Sequence, residues 1–261
     1  MKKAVLVALL LFSAFVLAAE SPFTGTWKAD LSKAQVSAKP DQIVLQSGRF
    51  QCTSCVPKVD VKADGTDQPV VGDPMRDTVA VRVIDDKTVE FTDKRGGKVI
   101  GKGKETVSAD GKTMTIDFES FPPSGAKSVT GKQTMTRVAA GPAGAHAISG
   151  SWQVQKMDQV SENGLMITLN GTDDGLSMTA PTGESFDAKF DGKDYPVKND
   201  LPGTMVSLKK LGERSVEQTI KRDGKVLYVN TMTVAADGKT MTYKSEDKQT
   251  GNVFSIVATK Q

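Results

Sequence analysis

The residues of this chain whose types and spacing could carry chemistry are two cysteines, one histidine and several recurring Asp-Gly pairs. Cys52 and Cys55 form a Cys-x-x-Cys in RFQCTSCVPK. That spacing serves a thiol–disulfide redox pair, a haem attachment, half of a zinc site or a local disulfide. Haem attachment needs a histidine directly after the second cysteine, and Val56 stands there. Zinc needs two more ligands; His146 is the single histidine, so carboxylates would have to complete the shell. A thioredoxin-like pair needs the motif at a helix start in a βαβ context, which the flanking residues lack. An exported chain with an even cysteine count favours a Cys52–Cys55 disulfide, with metal and redox readings as alternatives. No metal or cofactor is expected.

The remaining groups assemble no catalytic constellation. His146 has no second histidine to pair with, and nucleophile–base chemistry would need it to dock from a linker. The recurring carboxylates, Asp64 with Asp191 and Asp110 with Asp237, precede glycines, and turn formation explains them. Lys94-Arg95 and Lys221-Arg222 also precede turns and read as solvated hairpin ends. Gly96-Gly97 is a hairpin rather than a phosphate-cradling loop. A non-enzymatic protein is expected, with catalytic residues none.

The start of the chain bears on the compartment. Lys2 and Lys3 precede an apolar run from Ala4 to Ala19, broken only by Ser13, and small residues close it. This is the pattern of a cleaved signal peptide over residues 1–19, too short for a comfortable span of ~20 residues. A periplasmic or secreted protein without a membrane span after cleavage is expected. Removing Lys2 and Lys3 from the 34 basic residues leaves 32 against 31 acidic ones, a net charge of +1. The two signs are interspersed along the chain, which argues against a nucleic-acid partner.

The elements that must position these groups come in two copies. DVKADGTDQPV from Asp60 and DAKFDGKDYPV from Asp187 lie 127 residues apart. At the same offset VEFTDKRGGKV (Val89 to Val99) faces VEQTIKRDGKV (Val216 to Val226), and TVSADGKTMT (Thr106 to Thr115) faces TVAADGKTMT, with only Ser108 and Ala235 differing. Upstream, Gly25-Thr26-Trp27 matches Gly150-Ser151-Trp152. The period is too long for a solenoid and fits duplication of a domain. The expected units are residues 21–139 and 148–261, joined by a linker at 140–149.

Each unit reads as strand throughout. Val79, Val81 and Val83 alternate with polar or small residues, as do Met114, Ile116 and Phe118; Val226, Tyr228, Met232 and Val234 share one parity. Period two with one apolar face marks a half-buried strand, and Asp-Gly pairs supply hairpin turns. About eight strands fit in each unit, predicting an all-β protein of two tandem antiparallel meander barrels.

The opening SPFTGTWKADLSKA of the first unit and ISGSWQVQKM of the second place Gly-x-Trp on a first strand. This resembles the calycins, the lipocalin and fatty-acid-binding group, and the repeated turn pattern is similar to secreted bacterial proteins described only as lipocalin-like. The resemblance implies that each Trp closes a barrel against a basic residue of the last strand, Trp27 with Arg137 and Trp152 with Lys260, although Lys260 is not the arginine of the pattern. No counterpart of the two lid helices is visible. The resemblance implies a partner: a small apolar or amphipathic ligand held inside a barrel. The alternative is an envelope structural or interaction protein with filled barrels and loop-mediated partner binding. Positions where the copies differ, Cys52 and Cys55 and the loop from Phe121 to Gly125, are the candidates for unit-specific function.

Overall fold

The computed structural model describes residues 20–261; the expected signal peptide lies outside the described residues. The described residues are all-β apart from one turn of 3-10 helix at Glu162–Gly164. The first half holds β1 (Gly25–Ser37), β2 (Asp41–Gln46), β3 (Arg49–Cys52), β4 (Val59–Lys62), β5 (Asp64–Pro69), β6 (Thr78–Asp85), β7 (Thr88–Arg95), β8 (Lys98–Val107), β9 (Thr113–Ser120) and β10 (Val129–Ala140). The second holds β11 (Gly150–Val160), β12 (Met166–Gly171), β13 (Gly175–Thr179), β14 (Ser185–Lys189), β15 (Tyr195–Pro196), β16 (Thr204–Gly212), β17 (Ser215–Arg222), β18 (Lys225–Val234), β19 (Thr240–Asp247) and β20 (Val253–Lys260).

These strands form two antiparallel, nearly closed barrels of ten strands each. The expected count of about eight was low because short strands such as the two-residue β15 pair at the ends of the sheets. In the second barrel, β14 reaches the far end of the sheet through a bridge between Ser185 and Lys198.

The barrels do not follow the sequence repeats. β1 pairs with β12 and β20, whereas β11 pairs with β2 and β10. One barrel is therefore the continuous segment from β2 to β11, and the other is built from β1 together with β12 to β20. The expected units 21–139 and 148–261 have exchanged their first strands. The first barrel is inserted between the first and second strands of the other.

The register gives the physical reason. Trp152 on β11 pairs with Asp41 on β2. For β1 to occupy that place, Trp27 would face Asp41 and the chain would have to reverse near Ala34. The segment LSKAQVS (Leu31 to Ser37) contains no Gly, Pro, Asn or Asp to make that turn. It stays extended instead, with a register shift between Asp30 and Gln35, and delivers β1 to the other sheet. The linker is also structured. β10 and β11 are adjacent antiparallel strands, with Ala140 opposite Gly150, and Ile148 and Ser149 between them are buried.

Each barrel has its own apolar core. The first centres on Phe50, Val81, Val89, Met114, Met135 and Trp152. The second centres on Phe23, Trp27, Leu176, Leu208, Val216 and Met241. The expected inward parity holds for Met114 and Ile116. In β18 it fails at one end: a register shift beside Ile220 inserts Leu227, which is buried, and turns Val226 outward. Asp223-Gly224 makes the expected two-residue turn, both residues having positive φ. Asp64-Gly65 does not; it opens β5 at a bulge, with register lost between Asp64 and Asp67.

Candidate functional site: the interior of the second barrel

Each barrel sets one tryptophan against one cation, in pairings opposite to those expected. Trp152 pairs with Arg137 in register, and the Arg137 guanidinium carbon lies 4.0 Å from the indole centroid. Its three nitrogens donate to the carbonyls of Gly111, Ala147 and Ser149 at 2.5–2.6 Å. Trp27 pairs with Lys260, whose Nζ lies 5.8 Å from the ring. The predicted pairs Trp27–Arg137 and Trp152–Lys260 are corrected by the strand exchange, which moves each tryptophan beside the last strand of the other repeat. Both indole N–H groups donate to a backbone carbonyl four residues upstream, Phe23 O and Ile148 O, at 2.8 Å. The glycine of each Gly-x-Trp is explained by the same contact. Gly25 and Gly150 adopt φ of 138° and 143°, open to few residues other than glycine. A Cβ at either would run into the cation, the Lys260 stem or the Arg137 guanidinium.

The other sequence candidates are placed as scaffold. Cys52 and Cys55 are joined in a disulfide at the tip after β3. Cys52 is in the core of the first barrel, with Cys55 partly buried against it. His146 is held rather than mobile. Its Nε2–H donates to Asp85 O at 2.6 Å and its Nδ1 accepts from the Ile148 N–H at 3.3 Å, so both nitrogens are occupied. Asp110 and Asp237 accept backbone N–H bonds within their turns.

The recurring basic pairs are not simple solvated ends. Lys94 bonds Asp67 at 2.6 Å, and its repeat Lys221 bonds Asp194 at 2.8 Å. Arg95 and its repeat Arg222 both donate to the carbonyl of Pro74, at 2.6 and 3.2 Å. Arg222 is buried there, against Thr204 and Met75, so this pair helps to clamp the barrels together. The loop around Phe121 to Gly125 also bridges them, Ser124 Oγ donating to Thr182 O at 2.5 Å.

The largest concavity, about 810 Å³, opens among the charged side chains of the first barrel, Arg82, Glu90, Lys104, Asp117 and Lys132; two others lie inside the second barrel and have apolar walls. A cavity of about 350 Å³ is walled by Trp27, Ile167, Leu169, Met241, Phe254 and Ile256, almost wholly apolar. A second of about 420 Å³ adjoins it and carries polar groups, among them Asn230, Tyr228, Ser245, Glu184 and Asp200. Met178, Phe186, Gln218 and Tyr243 line both, so the two chambers adjoin across these side chains. Together they give an amphipathic interior of a size suited to a small ligand. Met157 and Val160 of β11 also line the apolar chamber, so the exchanged strand reaches across to it.

The chamber's polar groups are neutral where they are most buried. Burial pushes the Tyr243 phenol up to about 12 and also raises Tyr228. Asn230 Nδ2 donates to Gln218 Oε1 at 2.8 Å inside the barrel.

The sequence reading named no ligand-binding residue, and so missed Gln218, Asn230, Tyr243 and Ser245. The signal was present at the repeat offset. Gln218, Asn230 and Ser245 stand where the first unit has Phe91, Gly103 and Phe118. In the first barrel those aromatic positions occupy interior space: Phe91 packs edge-on against Phe50 at 5.1 Å, and Phe118 covers Gly131 closely enough that a Cβ there would overlap its ring.

The outer face of the first barrel carries a row of alternating charge in register across five strands: Arg82, Glu90, Lys104, Asp117 and Lys132. Neighbours in this row pair with one another, Arg82 with Glu90 and Lys132 with Asp117 at 3.2 Å, which leaves little net field to steer a charged partner. Among the described residues no helix is long and apolar enough to cross a membrane. The chain matches no protein-family model and no curated protein sequence, so the reading of the site rests on its geometry.

Proposed function

We propose that this is an exported, non-enzymatic, lipocalin-like binding protein that holds one small apolar or amphipathic molecule inside its second barrel. The observation that carries the reading is the apolar chamber of about 350 Å³ beside Trp27, which adjoins a polar chamber. A solid core would close such space, since protein interiors pack to crystal density and an unfilled apolar void costs stability. The Gly-x-Trp openings and the barrel architecture support the lipocalin-like reading, and the first barrel, with phenylalanines on its inward row, acts as the partner scaffold.

Native mass spectrometry of the protein purified from its own periplasm tests this. A reproducible added mass is expected, lost after organic extraction and absent from the variant Ala29→Phe, whose ring would occupy the apolar chamber. A clean apo mass, with no uptake of apolar probes by the extracted protein, would instead favour the envelope interaction protein with loop-mediated contacts.

A further inference from the structure

Two copies of one inward row can be compared within a single molecule. In the second barrel Gln218, Asn230 and Ser245 pair in register across β17, β18 and β19. In the first barrel the same positions, Phe91, Gly103 and Phe118, pair in register across β7, β8 and β9. Duplication gave both barrels the same frame, and only one carries a polar belt. That belt lies where the apolar and polar chambers meet, because Gln218 lines both and Asn230 the polar one.

The belt is unsatisfied. Asn230 is only 3% exposed, and while its Nδ2 donates to Gln218, its Oδ1 is buried without a partner. A buried acceptor left open costs roughly 1–3 kcal/mol, so an empty barrel holds a standing preference for a donor at this point. No lysine or arginine lines either chamber, whereas Glu184 and Asp200 line the polar one. Asp200 accepts the Leu201 N–H at 2.6 Å and faces the buried Arg222, and Glu184 accepts from Thr182, so both carboxylates are engaged within the protein.

We propose that the second barrel selects an uncharged head group bearing an O–H or N–H donor, which bonds Asn230 Oδ1 while the apolar body lies against Trp27, Met241 and Ile256, and that it rejects carboxylates. This rests on the reading that a ligand occupies the barrel. A carboxylate entering here would lose its hydration beside two acidic side chains, and the nearest cation, Arg222, is already held by Asp200, Thr204 and the Pro74 carbonyl. A neutral alcohol meets the open acceptor at little desolvation cost.

The test uses the full mature protein after organic extraction, at pH 7, with four probes of one chain length: 1-decanol, decyl methyl ether, decanoate and decylamine. Displacement of an apolar fluorophore reports affinity. Decanol is expected to bind tightest, about tenfold above its methyl ether, which keeps the oxygen but lacks the donor, the gain expected of one net buried hydrogen bond. Decanoate is expected to be weaker still. In Asn230→Leu the alcohol and the ether become equal while the ether retains its affinity; should that variant unfold, the alcohol–ether and alcohol–decanoate differences in the unaltered protein still decide. Binding of all probes with equal affinity, or strongest binding of decanoate or decylamine, overturns the head-group assignment and leaves barrel binding intact. Failure of every probe overturns barrel binding itself.

Discussion

Trp27, near the start of the chain, lies opposite Lys260, near its end, on adjacent strands of one sheet. The same place in the other barrel is taken by Trp152 and Arg137, partners only fifteen residues apart across a single hairpin. Strands far apart in sequence thus meet in one barrel, and neighbouring strands meet in the other. Duplication produced two equivalent first strands, and either could complete either sheet. The extended Leu31 to Ser37 segment decides for exchange. It also ties the barrels together, since neither copy can leave without removing a strand from its neighbour.

A double-mutant cycle reads this exchange in solution. Arg137→Met and Trp152→Leu are expected to couple by about 1 kcal/mol, the range of a partly desolvated cation–π contact. Arg137→Met and Trp27→Leu are expected to add within about 0.5 kcal/mol, as independent sites do. Urea unfolding of the single and double variants supplies the numbers. Coupling of Arg137 to Trp27 instead of Trp152 would mean that each repeat closes on itself.

Much of this architecture was legible. The offset of 127 gave the duplication, and period-two alternation gave the strands and inward faces of β6 and β9. The exchange was not read, although its signal was local: the missing turn residues between Leu31 and Ser37. Pairing across a sheet depends on which of two equivalent strands arrives, and no propensity distinguishes β1 from β11. The cavity was hidden for a related reason. A row of side chains in register is formed by three strands distant in sequence, so Gln218, Asn230 and Ser245 look unremarkable until aligned on Phe91, Gly103 and Phe118. Val226 was misplaced because one inserted residue, Leu227, flips the parity of a strand.

Because the first barrel is a continuous segment, residues 38–161 contain all ten of its strands, Trp152 and Arg137 included. This fragment is expected to unfold in one cooperative urea transition with a tryptophan emission characteristic of a buried indole. The complementary chain of 161–261 lacks β1 and Trp27, and is expected to show exposed apolar surface by dye binding. A molten, non-cooperative 38–161 fragment would show that the inserted barrel depends on its host.

The disulfide is a local staple. The turn after β13, where Thr179 and Thr182 stand in place of Cys52 and Cys55, forms the same strand–turn–strand without one. A loop of about four residues returns about 2 kcal/mol in the loop-entropy relation. Reduction is expected to lower the unfolding free energy read from urea titration by that amount while leaving the far-ultraviolet circular dichroism of the native protein unchanged. Loss of the β signal on reduction alone would give the bridge a far larger part in holding the first barrel.

Glu105 makes the stability of the first barrel depend on pH. It lies on the inward parity of β8, between Val89 on one side and Ile116 on the other, with Oε2 buried and unpartnered. Burial, reinforced by the nearby Asp41, pushes its carboxyl up to about 8 from an ordinary value of 4.5; burial raises Asp41 as well. Between these two values the folded protein keeps a proton that the unfolded chain releases, so unfolding is favoured as pH rises. The stabilisation is whole below pH 4.5 and is lost as pH climbs through about 8, with a limiting size of about 5 kcal/mol if the entire shift is expressed. Glu105→Gln keeps the shape and removes the titration, and Glu105→Met installs the residue found at the matching position of the second barrel, Met232. Urea unfolding at pH 5, 7 and 9 is expected to show the parent protein losing stability steadily relative to both variants, with the largest gap at pH 9. Parallel behaviour of parent and variants across that range would mean that Glu105 is ionised and solvated, and that the first barrel opens at its inner face.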